Sequence, residues 1–127
     1  ILNGAVIENA GSNAKIRFLN DCAILRQKEI LSDADCVTPA ARVYFALQCA
    51  YIFESQRPRH VESFRALLAS YVAACPSAAP LGEQITAAVE SEQYYHALRL
   101  SRDLLKHEAD LLASMQRDLR ASVASGD

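Results

Sequence analysis

Three histidines, four cysteines and thirteen Lys and Arg residues are the groups here that could do chemistry. His96 and His107 stand eleven residues apart, about 16 Å along a helix. That is too far to share a metal ion, and no H-E-x-x-H occurs. His107 and Glu108 are adjacent, so on a helix their side chains diverge by about 100°, which suits solvent better than catalysis. All three histidines read as surface or helix-end residues. No spacing of Ser, His and Asp recommends a nucleophile, although such triads assemble in space rather than in sequence. Gly4, Gly11, Gly82 and Gly126 are too dispersed for a phosphate-cradling loop. Cys22, Cys36, Cys49 and Cys75 form no C-x-x-C. They are expected to be buried free thiols of a reducing cytosol, rather than a disulfide framework or a zinc site. No enzyme, cofactor or metal is expected.

The basic residues say more. On an alternating strand over 14–19, Lys15 and Arg17 share one face at about 7 Å spacing, close to the spacing of phosphates along a single strand. Arg26 and Lys28 follow on a candidate next strand, and Arg57, Arg59 and His60 cluster at a helix break. These six cations, Lys15, Arg17, Arg26, Lys28, Arg57 and Arg59, are the candidate RNA-contacting set. The alternative is a solvated sheet face with an ordinary charged corner. Thirteen Lys+Arg against fifteen Asp+Glu give a net charge of −2. A general polyanion or membrane binder would be basic, so any nucleic-acid contact must be local and selective.

A chain of 127 residues, 51% hydrophobic and 22% charged, fits one domain with a core that needs no staples. This composition excludes a disordered or collagen-like chain. Up to residue 37 the pattern has period two and many turn residues. Asn3-Gly4 signals a hairpin, 5–8 and 14–19 read as strands, and 23–25 as a short third, with 26–31 less regular. Three short strands leave unpaired edges, which implies docking on the helices or on a second copy, hence a homo-oligomer. Thr38-Pro39 then opens a helix over 39–55, apolar on all sides and therefore central. Arg57-Pro58 breaks it. Helices follow over 60–74, 81–92 and 92–120, with a loop at 76–80. Leu98, Leu105, Leu112 and Leu119 are seven apart, interrupted by Ser101 and Glu108, so packing within the bundle is favoured over a long exposed coiled coil. Tyr44, Phe45, Leu47, Ile52, Phe64, Leu68, Tyr71 and Leu98 are the expected core. The architecture read this way is α+β: a small N-terminal antiparallel β-module over 1–37, a four- to five-helix bundle over 38–122, and a flexible tail over 123–127. The longest uncharged run in the most apolar stretch, 43–53, is too short to span a bilayer.

Several blocks resemble a known family. Ile1-Leu2-Asn3-Gly4-Ala5-Val6-Ile7, Phe18-Leu19-Asn20-Asp21, Leu25-Arg26-Gln27-Lys28-Glu29-Ile30-Leu31 and the run from Thr38 to Gln48 carry the resemblance in order. So do Tyr94-Tyr95-His96-Ala97-Leu98 and Glu108-Ala109-Asp110-Leu111-Leu112. The chain is similar to the FlbT family of flagellar biosynthesis regulators of α-proteobacteria. The resemblance implies a cytoplasmic post-transcriptional regulator that acts on the 5′ untranslated region of flagellin mRNA, limiting its translation and stability. Some members favour flagellin production instead. It also implies a small flagellar partner, FlaF, and a first strand preceding Ile1. The rival reading is a protein-binding adaptor or chaperone of flagellum assembly that grips FlaF or flagellin without touching RNA. The N-terminal order of turns and strands is also similar to the carbon storage regulator family, which grips GGA-containing loops. Aligning Glu29-Ile30 with that family's Glu-Ile puts Gln27, not Arg26, at its RNA-binding arginine.

Overall fold

Thr38 caps the first helix as its residue type predicts: Oγ1 accepts the Ala41 N–H at 3.2 Å, and Pro39 occupies the first turn. In the computed structural model, which describes residues 25, 29–32, 35 and 37–124, four helices follow one another. They are α1 (Pro39–Ile52), α2 (Arg57–Ala74), α3 (Ala79–Glu90) and α4 (Tyr94–Ala124), with 3-10 turns Glu54–Gln56 and Pro76–Ala78 at the first two joints. A second cap reaches α1 from far along the chain, since Glu108 Oε2 accepts the Ala40 N–H at 3.0 Å. A carboxylate there meets an orphan N–H and the positive end of the helix dipole, and ties α4 to α1.

Helix α1 packs on both α2 and α4. Val43, Tyr44, Leu47, Ala50 and Ile52 are buried on its several faces, as its lack of a polar side requires. The second helix presents a single stripe, Phe64, Leu68 and Tyr71. Ile85, Ala88 and Val89 of α3 and Ala97, Leu98 and Leu104 of α4 complete the core. Of the eight residues expected there, only Phe45 is half-buried; the other seven are buried.

Prolines initiate helices here more than they end them. Helix α1 stops at Ile52 rather than 55, and Pro58 sits in the first turn of α2, which starts at Arg57 rather than 60. Pro80 likewise falls in the first turn of α3, not in a loop. The turn between α3 and α4 closes without glycine. Gln93 N–H bonds Ala88 C=O at 2.8 Å and Glu92 N–H bonds Val89 C=O at 3.0 Å, with Glu92 at φ 60°. This is a Schellman closure in which a glutamate takes the left-handed position that glycine usually fills.

The expected α+β architecture is not what the structure has. Among the described residues every regular element is helical and none is a strand, which makes the fold all-α and overturns the antiparallel β-module. The reason is visible at Leu31, where both backbone groups are taken by one side chain. Its N–H donates to Gln48 Oε1 at 2.7 Å and its C=O accepts from Gln48 Nε2 at 2.8 Å. The Tyr44 hydroxyl donates to the Glu29 carbonyl. Side chains of α1 thus satisfy the groups that a strand would give to a neighbouring strand. The strands expected over 5–8 and 14–19 lie outside the described residues.

Helix α4 is 31 residues long, about 46 Å. Its first half is buried on the bundle through Ala97, Leu98, Ser101 and Leu104, whereas Leu112, Met115, Leu119 and Val123 are exposed. Ser101 is fully buried because its hydroxyl donates back to Leu98 C=O at 2.6 Å. No helix among the described residues is long and apolar enough to cross a membrane.

Candidate nucleic-acid interface

Where α1 ends and α2 and α4 begin, three tyrosines, a histidine and an arginine come together around an open cleft of about 790 Å³. Tyr51 of α1 and Tyr95 of α4 lie with ring centroids 5.6 Å apart, tilted by 42°. The Arg57 guanidinium sits 4.5 Å over the Tyr94 ring, a cation–π contact. Its Nε also donates to Ala50 C=O at 2.8 Å, closing the last turn of α1. Tyr95 is 38% exposed, and its hydroxyl donates at 2.7 Å to Oε2 of Glu29, a buried carboxylate. His96, Gln93, Glu54 and Glu92 complete the rim.

Two acids, Glu54 and Glu92, outnumber Arg57 at this rim, so the cleft is poorly built to grip phosphates. Its strength is flat aromatic surface with polar tips, the platform on which unpaired bases stack. Glu54, Glu92 and Gln93 add hydrogen-bond acceptors and donors at the rim.

The six cations proposed from sequence fare differently. Arg57 is half-buried and held between Ala50 and Tyr94, so it shapes the cleft. Arg59 is exposed in the first turn of α2, two residues on from Arg57. Lys15, Arg17, Arg26 and Lys28 lie outside the described residues. Tyr51, Tyr94, Tyr95 and His96 were not in the proposed set. The Tyr94-Tyr95-His96 run could have indicated them, as adjacent aromatics at a helix start cannot all face one core.

His60 lies at the edge of this region, its ring 6.3 Å from that of Phe53. Its Nε2 is buried without a hydrogen-bond partner. Burial, and then the Arg59 guanidinium, hold its pKa below the usual 6.5. A folded chain that resists protonation loses stability once the unfolded imidazole takes up its proton. This share of stability is present above about pH 6.5 and is lost as pH falls below it. His60→Phe should therefore flatten the decline in melting temperature between pH 7.5 and 5, relative to wild type. Superimposable profiles would show that His60 does not titrate this way.

At the far end of the bundle His107 is a bridge rather than a solvent residue. Nδ1 meets the Tyr71 hydroxyl at 2.8 Å and Nε2 meets the Ser77 hydroxyl at 2.9 Å. Burial, followed by the Cys75 thiol and the Glu108 carboxylate, pushes the Tyr71 pKa up to about 12. Both ring nitrogens are thus taken up by hydroxyls, and the imidazole's tautomer sets which of them donates. Cys49 is buried and Cys75 half-buried, neither of them in a disulfide; Cys22 and Cys36 lie outside the described residues.

The family model described as "Flagellar protein FlbT" matches residues 1–112. The chain belongs to the FlbT family. It is 31% identical over 110 residues to the probable flagellum biosynthesis repressor protein FlbT of Caulobacter sp. (strain K31), covering 85% of this chain and 84% of that protein. Against the flagellum biosynthesis repressor protein FlbT of Caulobacter vibrioides (strain ATCC 19089 / CIP 103742 / CB 15) the identity is 28%, covering 99% of this chain and 91% of the relative. A FlbT of Bradyrhizobium diazoefficiens is 32% identical, with 87% and 76% covered. No solved structure matches this FlbT-family chain. The aromatic cleft and the His107 bridge both fall inside the matched region, whereas Met115, Leu119 and Val123 lie beyond it.

Proposed function

We propose that this FlbT-family chain regulates flagellum synthesis as a cytoplasmic, non-catalytic repressor that binds flagellin mRNA directly, in the single-stranded part of its 5′ leader. The regulatory role rests on the relatives, whose names describe repression of flagellum biosynthesis. The RNA reading rests on one observation, the convergence of Tyr51, Tyr94, Tyr95 and His96 with Arg57 at an open cleft. Bases stack on the tyrosines, Arg59 meets a phosphate at the cleft edge, and the rim carboxylates and Gln93 read base edges. A chain of net charge −2 binds in this mode with a shallow salt dependence, because few phosphates are neutralised. The adaptor reading, in which a FlaF-like partner or flagellin is held instead, draws support from an apolar groove of about 470 Å³ between α2 and α3.

The test compares Tyr95→Phe with Tyr95→Leu for binding to a flagellin leader, a scrambled leader serving as control. The Phe variant keeps the ring and loses only the bond to Glu29. If a base stacks there, Tyr95→Leu should weaken binding about 5- to 150-fold, matching about 1–3 kcal/mol per stacked base, and Tyr95→Phe much less. Arg59→Glu should lower the log–log salt slope by about 0.7. Equal, wild-type affinity for both Tyr95 variants, with melting temperatures preserved, would remove the cleft from the RNA site.

A further inference from the structure

Two apolar surfaces of this chain carry flanking charges that complement each other. The first is the overhang of α4, where Leu112, Met115, Leu119 and Val123 are 48%, 59%, 67% and 73% exposed. Their spacing of three, four and four puts them on one stripe of the helix. Helical periodicity sets Asp118 on one flank of that stripe and Arg120 on the other, each about 100° away. The second is the groove between α2 and α3. Its floor includes Leu68, Val72 and Gly82, and the two helices come close because Gly82 has no side chain: a Cβ there would stand 3.1 Å from Val72 Cγ2. Its walls carry opposite charge, Arg65 on α2 and Glu83 and Glu90 on α3.

We propose that the α4 overhang of one copy lies in the α2–α3 groove of a second copy. The bipolar flanks select this occupant, with Arg120 facing the Glu83 and Glu90 wall and Asp118 facing Arg65. The existing Arg65–Glu90 pair spans 3.8 Å with both side chains at least half exposed, a contact weak in water that an entering Asp118 can replace. A chain does not fill its own groove this way, because Leu112, Met115, Leu119 and Val123 stay exposed on an α4 that runs unbroken from Tyr94 to Ala124. The stretch ahead of α1 that holds Glu29 does not cover the overhang either. Glu29 is bonded to Tyr95, seventeen residues and about 26 Å from Leu112 along α4.

Sedimentation of the full chain at high micromolar concentration tests this. Wild type should self-associate. Met115→Asp should raise the dissociation constant more than about tenfold, since a carboxylate would enter an apolar groove, and Ala87→Arg should do the same by blocking the groove. Both positions are exposed, so both variants should keep the wild-type melting temperature; if Ala87→Arg does not, Glu83→Lys replaces it. Mixing the two variants should restore a dimer, because each supplies the surface that the other lacks. A monomeric wild type overturns the proposal and leaves the groove to a different protein. Loss of association in Met115→Asp but not in the groove variant overturns it in favour of overhang pairing with overhang.

Discussion

Phe64→Ala should lower the free energy of unfolding by about 3–5 kcal/mol. The ring is fully buried, and only Phe64, Leu68 and Tyr71 of α2 are buried. One substitution therefore removes one of the three buried side chains of this helix. The transfer of the ring and the cavity left behind add together, and the well-packed α1 has no free side chain to collapse into the gap. In a urea titration the midpoint should fall with the m-value unchanged. A loss below about 1 kcal/mol would mean that the α2 stripe is not a principal contact of the bundle.

The helical body was legible because periodicity and caps act locally. Thr38-Pro39 marks the start of α1 whatever the rest of the chain does, and a helix with no polar side has only one place to go. Glycine and proline signals were read less well because their meaning depends on side. Pro58 reads as a helix break and Pro80 as the end of a loop, yet a proline is tolerated in a first turn, where its missing N–H has no helical partner to lose. The joint between the last two helices is legible at Glu92, but not its left-handed closure, because a glutamate holds the conformation that sequence rules assign to glycine. Ser101 and Glu108 interrupt the α4 seam for reasons that helical periodicity does not carry. Their roles lie at long range, with Glu108 capping α1 sixty-eight residues away, or in a local back-bond, as at Ser101.

The N-terminal part shows a different limit. Alternation over a few residues signals a half-buried extended chain, and extended chain becomes a strand only when another strand takes its hydrogen bonds. At residues 29–32 the helix α1 takes them instead. Of the candidate site, the sequence indicated the corner through Arg57 and Arg59, because charge near a helix break is visible in one dimension. The aromatic cleft was not visible, since Tyr51 and Tyr95 are forty-four residues apart and meet only when α4 packs on α1.

Gln48→Leu should release the segment ahead of α1 while leaving the helical bundle folded. Gln48 is 4% exposed, and its amide makes both of its bonds to one residue, giving Nε2–H to Leu31 C=O and taking Leu31 N–H at Oε1. Leucine matches the apolar surroundings and approximate size of the side chain, so α1 itself should not suffer. Two part-buried backbone groups at Leu31 lose their partners, at about 1–3 kcal/mol each. That cost is avoided if residues 29–32 leave α1 for water, where both groups are hydrated. Detachment also breaks the Tyr44 bond to the Glu29 carbonyl and the Tyr95 bond to its carboxylate, which couples the clasp to the aromatic cleft. Amide exchange at Leu31 should therefore accelerate by about 30-fold or more, the equivalent of about 2 kcal/mol of local stability, while core amides such as Leu47 and Leu104 change far less. A uniform acceleration across all four helices would instead make the clasp part of the global fold, and unchanged exchange at Leu31 would mean that its backbone finds another partner.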